Sequence, residues 1–217
     1  MPAQNDAAFI TFEGGEGGGK STQIKLLEDW LQEKGLDVLR TREPGGCTGA
    51  ELIRELVLTG DVDRWEPVTE ALLYAAARAE HVARTIRPAL SDNKWVLCDR
   101  FEDSSIAYQG AGRGVGVDNV EQMQRLAFGN LKPTLTFLLD LPVEIGLKRA
   151  IGREGTKTAN VEDRFERMDV SIHETLRATF LKLAEAEPNR FVVLDATKTI
   201  SELQEQIRTT VAERFSL

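Results

Sequence analysis

The chain has few of the residues on which metal and redox chemistry usually depend. Its 217 residues include only two cysteines, Cys47 and Cys98, and two histidines. The two cysteines lack the spacing of metal ligands, and they suit a reducing cytoplasm in which they stay unpaired. So few histidines argue against a histidine-based catalytic apparatus without excluding one.

Long apolar runs are also missing. No stretch of the sequence approaches the ~20 apolar residues that a membrane-spanning helix needs, and residues 1–6 carry no basic segment of a secretion signal. There is no internal repeat and no low-complexity linker. The net charge of −8 argues against general adhesion to nucleic acid or to an anionic membrane. We therefore expect a cytoplasmic protein with small-molecule partners, no nucleic acid and no membrane.

Glycine, by contrast, is concentrated at one point. Residues 14–22 read GGEGGGKST and fit G-x-x-x-x-G-K-[S/T], a pattern in which backbone N–H groups cradle phosphates. A β-prone run at 9–13 precedes it and an amphipathic segment at 22–34 follows, which is the strand–turn–helix setting that such a loop requires. A glycine turn can exist for backbone reasons alone, but the Lys20–Ser21 pair favours a nucleotide site. The dinucleotide pattern G-x-G-x-x-G fails because its sixth position is Lys20.

The pattern assigns a role to each part of this phosphate loop. The residues predicted to bind ATP are Gly14, Gly15, Glu16, Gly17, Gly18, Gly19, Lys20, Ser21 and Thr22. Lys20 would reach the β- and γ-phosphates, and the Ser21 hydroxyl would ligate Mg²⁺. The variable positions of the loop supply no cation, so any further positive charge must come from elsewhere in the chain.

Apolar β-type runs alternate with helix-length segments, which predicts an α/β fold with a parallel sheet covered on both faces. The predicted strands are 9–13, 38–42, 95–99, 135–140 and 190–195. The predicted helices are 22–34, 49–58, 69–90, 118–128, 143–150, 162–186 and 201–215. In segment 69–90 we expect a core stripe, because apolar residues recur there every three or four positions; it consists of Leu72, Ala76, Ala79, Ala83, Ile86 and Leu90. The length suits one domain, and the irregular stretches 42–49, 110–118 and 152–160 are interpreted as functional loops.

Polar residues follow the third predicted strand. Asp99 at the carboxyl end of a strand can hold Mg²⁺ directly or through water, and Arg100 offers a planar fork to a phosphate. An ordinary ion pair capping the strand is the alternative. Ser105, Tyr108 and Gln109 follow closely and add hydrogen-bonding groups near the same place.

Two other groups suggest binding or catalysis. Tyr74 and Arg78 are one helical turn apart and could stack on a base and bond its edge, although such pairs also occur as surface decoration. Arg149 and Arg153 lie beside a polar stretch that suggests a lid at about 150–161. An arginine delivered by a lid can stabilise the charge that develops in phosphoryl transfer. A solvated basic helix end is the alternative.

Taken together, these motifs resemble those of bacterial thymidylate kinases over essentially the whole chain. The residues that carry the resemblance are 12–22 (FEGGEGGGKST), 41–46 (TREPGG), 74–78 (YAAAR), 99–101 (DRF), 108–110 (YQG) and 112–114 (GRG). The resemblance implies a P-loop NTPase-type three-layer sandwich, with a five-stranded parallel sheet flanked by helices. It also implies that residues 1–217 form a single nucleoside monophosphate kinase domain.

The implied reaction is transfer of the ATP γ-phosphoryl group to dTMP, which gives dTDP in dTTP biosynthesis. The resemblance implies Mg²⁺ as cofactor, with Ser21 and Asp99 as its ligands, and a homodimer. The implied catalytic residues are Lys20, Asp99, Arg153 and Arg149, because the family type without a cation in the loop uses a lid arginine, here Arg153 first and Arg149 second. The implied acceptor-binding residues are Glu16, Arg42, Pro44, Tyr74, Arg78, Arg100, Ser105, Tyr108 and Gln109.

Within that set, Tyr74 would stack on thymine and Arg78 would bond its edge. Arg100 would bind the acceptor phosphate, and Glu16 would lie near the sugar 3′-hydroxyl. A deoxynucleoside kinase or another small-molecule kinase remains the alternative enzyme, with Glu13 or Glu16 as general base. A nucleotide-driven switch is a third possibility, but it has no need of a second phosphate-binding pocket.

Overall fold

A computed structural model describes residues 7–154, 164 and 168–217 of the chain. Its strands form one parallel sheet in the order β2–β3–β1–β4–β5. The strands are β1 (Phe9–Glu13), β2 (Val38–Arg42), β3 (Trp95–Asp99), β4 (Leu135–Asp140) and β5 (Phe191–Asp195). This confirms the predicted α/β fold with a five-stranded parallel sheet.

Helices lie between the strands and after the last one. They are α1 (Lys20–Glu33), α2 (Thr48–Leu58), α3 (Pro67–His81), α4 (Arg87–Ser91), α5 (Glu102–Ser105), α6 (Val117–Phe128), α7 (Val143–Glu154), α8 (Val170–Ala186) and α9 (Ile200–Phe215). Strand β1 is buried along its whole length, because the sheet is covered on both faces, whereas the edge strand β2 is only partly buried. In the described part of the chain no helix is long and apolar enough to cross a membrane.

The predicted helix 69–90 is present but differs in two ways. It begins two residues earlier, at Pro67, and a π-helical turn, Val82–Ile86, joins α3 to α4. The predicted core stripe is wrong at half of its positions, since the side chain of Leu72 is 53% exposed and Ala76 and Ala83 are also exposed. The periodicity was real, but α3 turns its polar face inward, where it buries residues such as Arg78.

Other boundaries also shift. The predicted helix 162–186 is wrong at its start, because Asp169 caps α8 by accepting a hydrogen bond from the Ser171 N–H at 2.8 Å. Helix α7 extends to Glu154, past the predicted end at 150. The stretch 110–118 is less irregular than predicted, because a π-helical turn, Ile106–Gly112, continues α5 and α6 begins at Val117. Gly110 and Gly112 made this stretch look like a loop, although residues 110–112 are helical.

The strand register places the chemistry at one edge of the sheet. Asp99 in β3 pairs with Phe12 in β1 and with Arg42 in β2. Because all strands are parallel, their carboxyl ends meet at the same edge, next to the amino terminus of α1. Any ligand of the phosphate loop therefore lies within reach of residues that follow β1, β2 and β3.

Candidate active site

The phosphate loop joins β1 to α1 through backbone conformations that glycine adopts most readily. Gly14, Gly17 and Gly19 have φ angles of +127°, +71° and +87°. A Cβ at Gly17 would lie 2.2 Å from the carbonyl oxygen of Gly146 in α7, so the loop and this helix touch through their backbones. At Gly18 a Cβ would make only ordinary contacts, at 3.5 Å or more. The loop therefore tolerates a side chain at one central position and excludes it at the neighbouring one.

Lys20 folds back over its own loop. Its Nζ donates hydrogen bonds to the carbonyl oxygens of Gly14 at 3.1 Å and Gly15 at 2.8 Å, and the side chain is buried. Burial and the guanidinium of Arg100 lower the pKa of Lys20 to about 8, against the opposing effect of nearby carboxylates. The amino terminus of α1, where Lys20 lies, has no side-chain cap among the described residues. Its first N–H groups are therefore available to an anion.

Ser21 and Asp99 form a pair of oxygen donors beside the loop. The Ser21 Oγ donates a hydrogen bond to Asp99 Oδ2 at 2.6 Å. Hydroxyl and carboxylate oxygens are the hard ligands that Mg²⁺ prefers, and Mg²⁺ takes the rest of its shell from phosphates and water. Within the described ranges no group of three or more histidine, cysteine, aspartate or glutamate side chains could hold a metal. The residues present thus fit a cation that is shared with a bound phosphate.

Arg100 lies next to these groups in an unusual backbone conformation, with φ of +67°. Its Nη1 donates hydrogen bonds to the carbonyl oxygen of Gly14 at 2.9 Å and to Ser104 Oγ at 3.1 Å. Because Lys20 also donates to Gly14, the Lys20 Nζ and the Arg100 Nη1 lie no more than 6.0 Å apart. Two cations from different elements converge on a single carbonyl group.

Glu16 lies between these cations and an aromatic ring. Its Oε1 accepts hydrogen bonds from Arg100 Nη2 at 2.6 Å and from the Tyr108 hydroxyl at 2.9 Å. The Tyr108 ring centre is 5.0 Å from the guanidinium carbon of Arg100. Burial alone would raise the pKa of Glu16, but Arg100 and Lys20 outweigh that effect and hold it at about 2. Glu16 is therefore an ionised acceptor inside an otherwise cationic site.

An open cavity adjoins the phosphate loop and measures about 670 Å³ with the solvent space at its mouth. Eight of the nine residues predicted to bind the acceptor line it: Glu16, Pro44, Tyr74, Arg78, Arg100, Ser105, Tyr108 and Gln109. Four other residues that were not predicted to bind the acceptor also line it: Glu43, which belongs to the motif at 41–46, and Arg54, Leu58 and Ser104. A ligand in this cavity would contact aromatic rings, cationic groups, hydroxyl groups and an amide.

Arg78 is buried at the edge of this cavity and firmly oriented. Its Nε donates to Glu43 Oε2 at 2.5 Å, and its Nη1 donates to Ser105 Oγ at 2.9 Å and Gln124 Oε1 at 2.7 Å. Its Nη2 donates to the carbonyl oxygen of Phe101 at 2.9 Å. With four protein acceptors around it, the guanidinium has one orientation to present to a ligand.

Arg42 is the predicted acceptor-binding residue that does not line the cavity. It pairs with Glu51 at 3.1 Å, and its side chain is 53% exposed. It lies in an adjoining groove together with Ser21 and Asp99. The reason is strand alternation, because Thr41 points toward α3 and its neighbour must therefore point away.

The predicted lid residues are only partly placed. Arg149 in α7 donates a hydrogen bond from Nη1 to the carbonyl oxygen of Ala196, in the loop after β5, at 3.0 Å. Arg153 lies in the last turn of α7, and its side chain is outside the described residues. Of the predicted lid at 150–161, residues 150–154 belong to α7 and residues 155–161 lie outside the described residues.

Glu13, at the end of β1, is a site residue to which the sequence analysis gave no role in the leading hypothesis. Its carboxyl accepts hydrogen bonds from the Phe101 N–H at 2.7 Å and from Ser104 Oγ at 2.5 Å, which holds the turn that carries Arg100. Burial and the neighbouring carboxyl of Asp103 raise the pKa of Glu13 to about 7. The available signal was an acidic residue at the end of an otherwise uncharged strand.

The side chain of Gln109 is hydrogen-bonded to a buried ion pair that the sequence analysis missed. Its Nε2 donates a hydrogen bond to Glu70 Oε1 at 3.0 Å, and Glu70 Oε2 lies 2.6 Å from Arg164 Nη2. The side chains of Glu70 and Arg164 are both fully buried. No local pattern connects residues so far apart in the chain, so the pairing had no signal in a single sequence.

Comparisons with known proteins agree with this geometry. A family model described as "Thymidylate kinase" matches residues 12–207. A curated thymidylate kinase from Geotalea daltonii is 50% identical over 209 residues, which cover 96% of this chain and 98% of that protein. A thymidylate kinase from a Bradyrhizobium species is 50% identical over 207 residues, which cover 95% of this chain and 90% of that one.

A solved structure is also similar. The crystal structure of thymidylate kinase from Ehrlichia chaffeensis matches with a TM-score of 0.75 at 30% sequence identity. The match covers 94% of this chain and 98% of that one. The likeness therefore extends over almost the whole of both molecules.

Proposed function

This chain belongs to the thymidylate kinase family, and we propose that its reaction takes place between the phosphate loop and the cavity beside it. It is a phosphotransferase that moves the γ-phosphoryl group of ATP to dTMP and gives dTDP. One observation carries the placement of the reaction. Lys20 from the loop and Arg100 from the cavity donate to the same carbonyl oxygen, that of Gly14. The donor and acceptor phosphates would meet at these two cations.

The acceptor base would occupy the part of the cavity lined by α3. Tyr74 would stack on thymine, and Arg78 would bond the edge of the base. Ser105 and Gln109 would line the pocket, with Pro44 on the opposite side of the base. The fixed orientation of Arg78, which is held by four acceptors, supports a role in reading hydrogen-bond acceptors on the base.

The acceptor sugar and phosphate would lie toward the loop. Glu16, kept ionised by its neighbours, would accept a hydrogen bond from the 3′-hydroxyl, and Tyr108 holds its carboxylate in place. Arg100 would bind the acceptor phosphate. When a nucleotide enters, the contact between Arg100 and Glu16 would be shared with the ligand, so the charges of the site remain balanced.

Catalysis in this arrangement needs positioning and charge neutralisation rather than a general base. A phosphate monoester has a second pKa of about 6, so its oxygen is already a nucleophile near neutral pH. Lys20 would neutralise charge on the β- and γ-phosphates, where the transition state gains it. Ser21 and Asp99 would hold Mg²⁺, and that ion supplies further charge neutralisation on the phosphates.

We further propose Arg153 as the lid arginine that completes the cationic site. Arg149 is bonded to the loop after β5, on the side of the sheet where the nucleoside of ATP would lie, so Arg153 is the better candidate for the transferring phosphate. Arg153→Ala is expected to lower kcat on the order of 10²-fold. Arg149→Ala is expected to act chiefly on the KM for ATP. A steady-state assay of both variants tests the assignment, which is wrong if the two results are exchanged.

The acceptor is tested with a panel of nucleosides and nucleoside monophosphates in a coupled assay of ADP release. We expect turnover with dTMP and essentially none with thymidine, since thymidine lacks the nucleophilic phosphate oxygen. dCMP should be a poor acceptor, because its 4-amino group would face the donors of Arg78. Activity on thymidine without activity on dTMP would instead indicate a deoxynucleoside kinase.

We propose that a second copy of the chain covers α2 and α3. Four large apolar side chains on these two helices are exposed; they are Leu52 (65%), Leu56 (39%), Val68 (51%) and Leu72 (53%). An exposed apolar face of this kind is typical of an interface. Sedimentation velocity should find a dimer for the natural sequence and a folded monomer for Leu72→Arg. A monomer in both cases would exclude the proposal.

We also propose a cytoplasmic location. Both cysteines are free, and Cys98 is buried in the core, which suits a reducing compartment. The substrates of the reaction, ATP and dTMP, support the same compartment.

A further inference from the structure

His81 forms a hydrogen-bonded relay beneath the acceptor cavity. It lies at the end of α3, and its side chain is fully buried. Its Nδ1 is 2.9 Å from Glu43 Oε1, and its Nε2 is 2.7 Å from Thr41 Oγ1. Thr41 lies in β2, and Glu43 is the first residue after that strand. One imidazole thus connects α3 to the corner that forms part of the cavity wall.

The chemistry of the partners determines which nitrogen carries the proton. An ionised carboxylate can only accept, so Nδ1 must donate to Glu43. In a neutral ring Nε2 is then an acceptor, and the Thr41 hydroxyl donates to it. Both polar ends of the ring are satisfied, and the ring is held in one orientation.

Glu43 links the orientation of the His81 ring to that of Arg78. One of its oxygens accepts from His81 and the other accepts from the Nε of Arg78 at 2.5 Å. Glu43 is buried to the same degree as Arg78, with 2% of each side chain exposed. Counted over the described residues, four of the five Arg78 N–H groups have protein acceptors, which leaves one N–H of Nη2 for a ligand. The direction of this N–H depends on where Glu43 holds the Nε of Arg78.

We propose that His81 is a positioning residue for the acceptor base: through Glu43 it orients Arg78, and it thereby determines the affinity for dTMP and the preference for dTMP over dCMP. This rests on the proposed function, in which Arg78 reads the base. A purely structural role is the competing account, because His81 also packs tightly against the corner. A Cβ at Gly46 would lie 2.3 Å from its Nε2.

Two amide substitutions at position 81 separate these accounts. In Asn the side-chain amide nitrogen can take the place of Nδ1 and donate to Glu43, whereas in Gln it takes the place of Nε2 and reaches Thr41 instead. We expect His81→Gln to raise the KM for dTMP about tenfold and to lower the dTMP/dCMP preference, since it removes a hydrogen bond to a charged group. His81→Asn should recover most of this effect. The KM for ATP should be unchanged in both variants.

Variants of Arg78 distinguish failure of the inference from failure of the proposed function. Arg78→Lys should raise the KM for dTMP, and adding His81→Gln to it should have little further effect, because both substitutions remove the same interaction. If Arg78→Lys leaves the KM unchanged, the proposed role of Arg78 is wrong. If Arg78→Lys raises it while His81→Gln does not, the inference alone is wrong.

Thr85→Val is the matched structural control. Thr85 lies one turn after His81, and its hydroxyl donates to the Gly46 carbonyl oxygen at 2.9 Å rather than to Glu43. The Thr85→Val substitution loosens the same corner and should leave the KM for dTMP within about twofold of the natural value, as expected for loss of one weak neutral hydrogen bond. An equal rise of the KM for dTMP in Thr85→Val and His81→Gln would show that the packing of the corner, rather than the hydrogen bond from His81 to Glu43, determines the affinity for dTMP.

A measurement on the natural sequence covers the case in which the His81 variants do not fold. The chain has only two histidines, so ¹⁵N spectra of the imidazoles resolve His81 from His173. The spectrum should show the Nδ1–H tautomer, and dTMP should shift the His81 signals more than an ATP analogue does. An Nε2–H tautomer, or His81 signals that ignore dTMP, would overturn the proposal.

Discussion

Lys20→Ala is expected to lower kcat by a factor on the order of 10²–10³, with little change in the thermal midpoint. The Lys20 Nζ is the cation that the phosphate loop holds against its own carbonyl groups, and the side chain is buried. Its charge would act on the phosphates that gain charge in the transition state, so its removal raises the activation barrier. Steady-state kinetics with saturating ATP and dTMP, together with a thermal melt, measure both quantities.

Lys25→Ala is the control for this experiment. Lys25 lies on the same helix but is 60% exposed and pairs with Asp29 one turn later. Exposed pairs of this kind contribute little, so kcat should stay within a factor of about two. A Lys20→Ala enzyme that keeps kcat within the same limit would show that the loop lysine is not part of the catalytic machinery.

The sheet and the phosphate loop could be predicted because their signals are local. Each strand is a short apolar run, and the phosphate loop is a glycine-rich segment between a strand and a helix, so each can be recognised within about twenty residues of sequence. The parallel topology then brings the carboxyl ends of the strands together. The same logic explains why Tyr74, Arg78 and Tyr108 line one cavity. Each follows or precedes a strand that ends at the same edge of the sheet.

The errors arise where burial depends on residues distant in sequence. Leu72 has the periodicity of a core residue but is exposed, because α3 turns Arg78 and His81 inward instead. A pattern of apolar positions cannot predict a buried polar face, since what stabilises that face is its partners. For Arg78 and His81 the common partner is Glu43, which belongs to another element.

Arg42 shows the limit of transferring a role by motif. It belongs to the same short motif as Pro44, yet only Pro44 lines the cavity. A motif indicates that a segment is near a site, whereas strand alternation decides which of its side chains points there. The direction of the Arg42 side chain follows from the contact between Thr41 and His81 on the opposite face of β2.

The buried pair of Arg164 and Glu70 supports the acceptor cavity from behind. Arg164 donates hydrogen bonds to three carbonyl oxygens around the α2–α3 connection: those of Val57 (3.1 Å), Asp61 (2.9 Å) and Val62 (2.6 Å). Its Nη2 lies 2.6 Å from Glu70. Arg164 thus fills the acceptor capacity of a turn that would otherwise bury unpaired carbonyl groups.

Arg164→Ala is therefore expected to be the most destabilising of these substitutions. Removing one partner of a close buried ion pair typically costs about 3–5 kcal/mol, and here Glu70 would be left with the longer contact to Arg113 Nε at 3.7 Å. For a domain of this size that corresponds to a thermal midpoint lowered by about 6–20 °C. Differential scanning calorimetry measures the shift. Arg84→Ala, which removes an exposed partner of Glu80, should lower the midpoint by no more than about 2 °C.

Glu70 provides the second half of the test. Arg164→Met alone should be nearly as destabilising as Arg164→Ala, because Glu70 would keep its charge with the longer contact to Arg113 Nε, at 3.7 Å, in place of the close pair at 2.6 Å. Adding Glu70→Gln should recover part of the loss, since the amide is neutral and can still accept from Gln109. An additive loss in the double variant would mean that the carbonyl groups of the turn, rather than the charge pair, dominate the contribution of Arg164. Recovery would instead establish that the wall carrying Gln109 depends on charge compensation by a residue 94 positions away from Glu70.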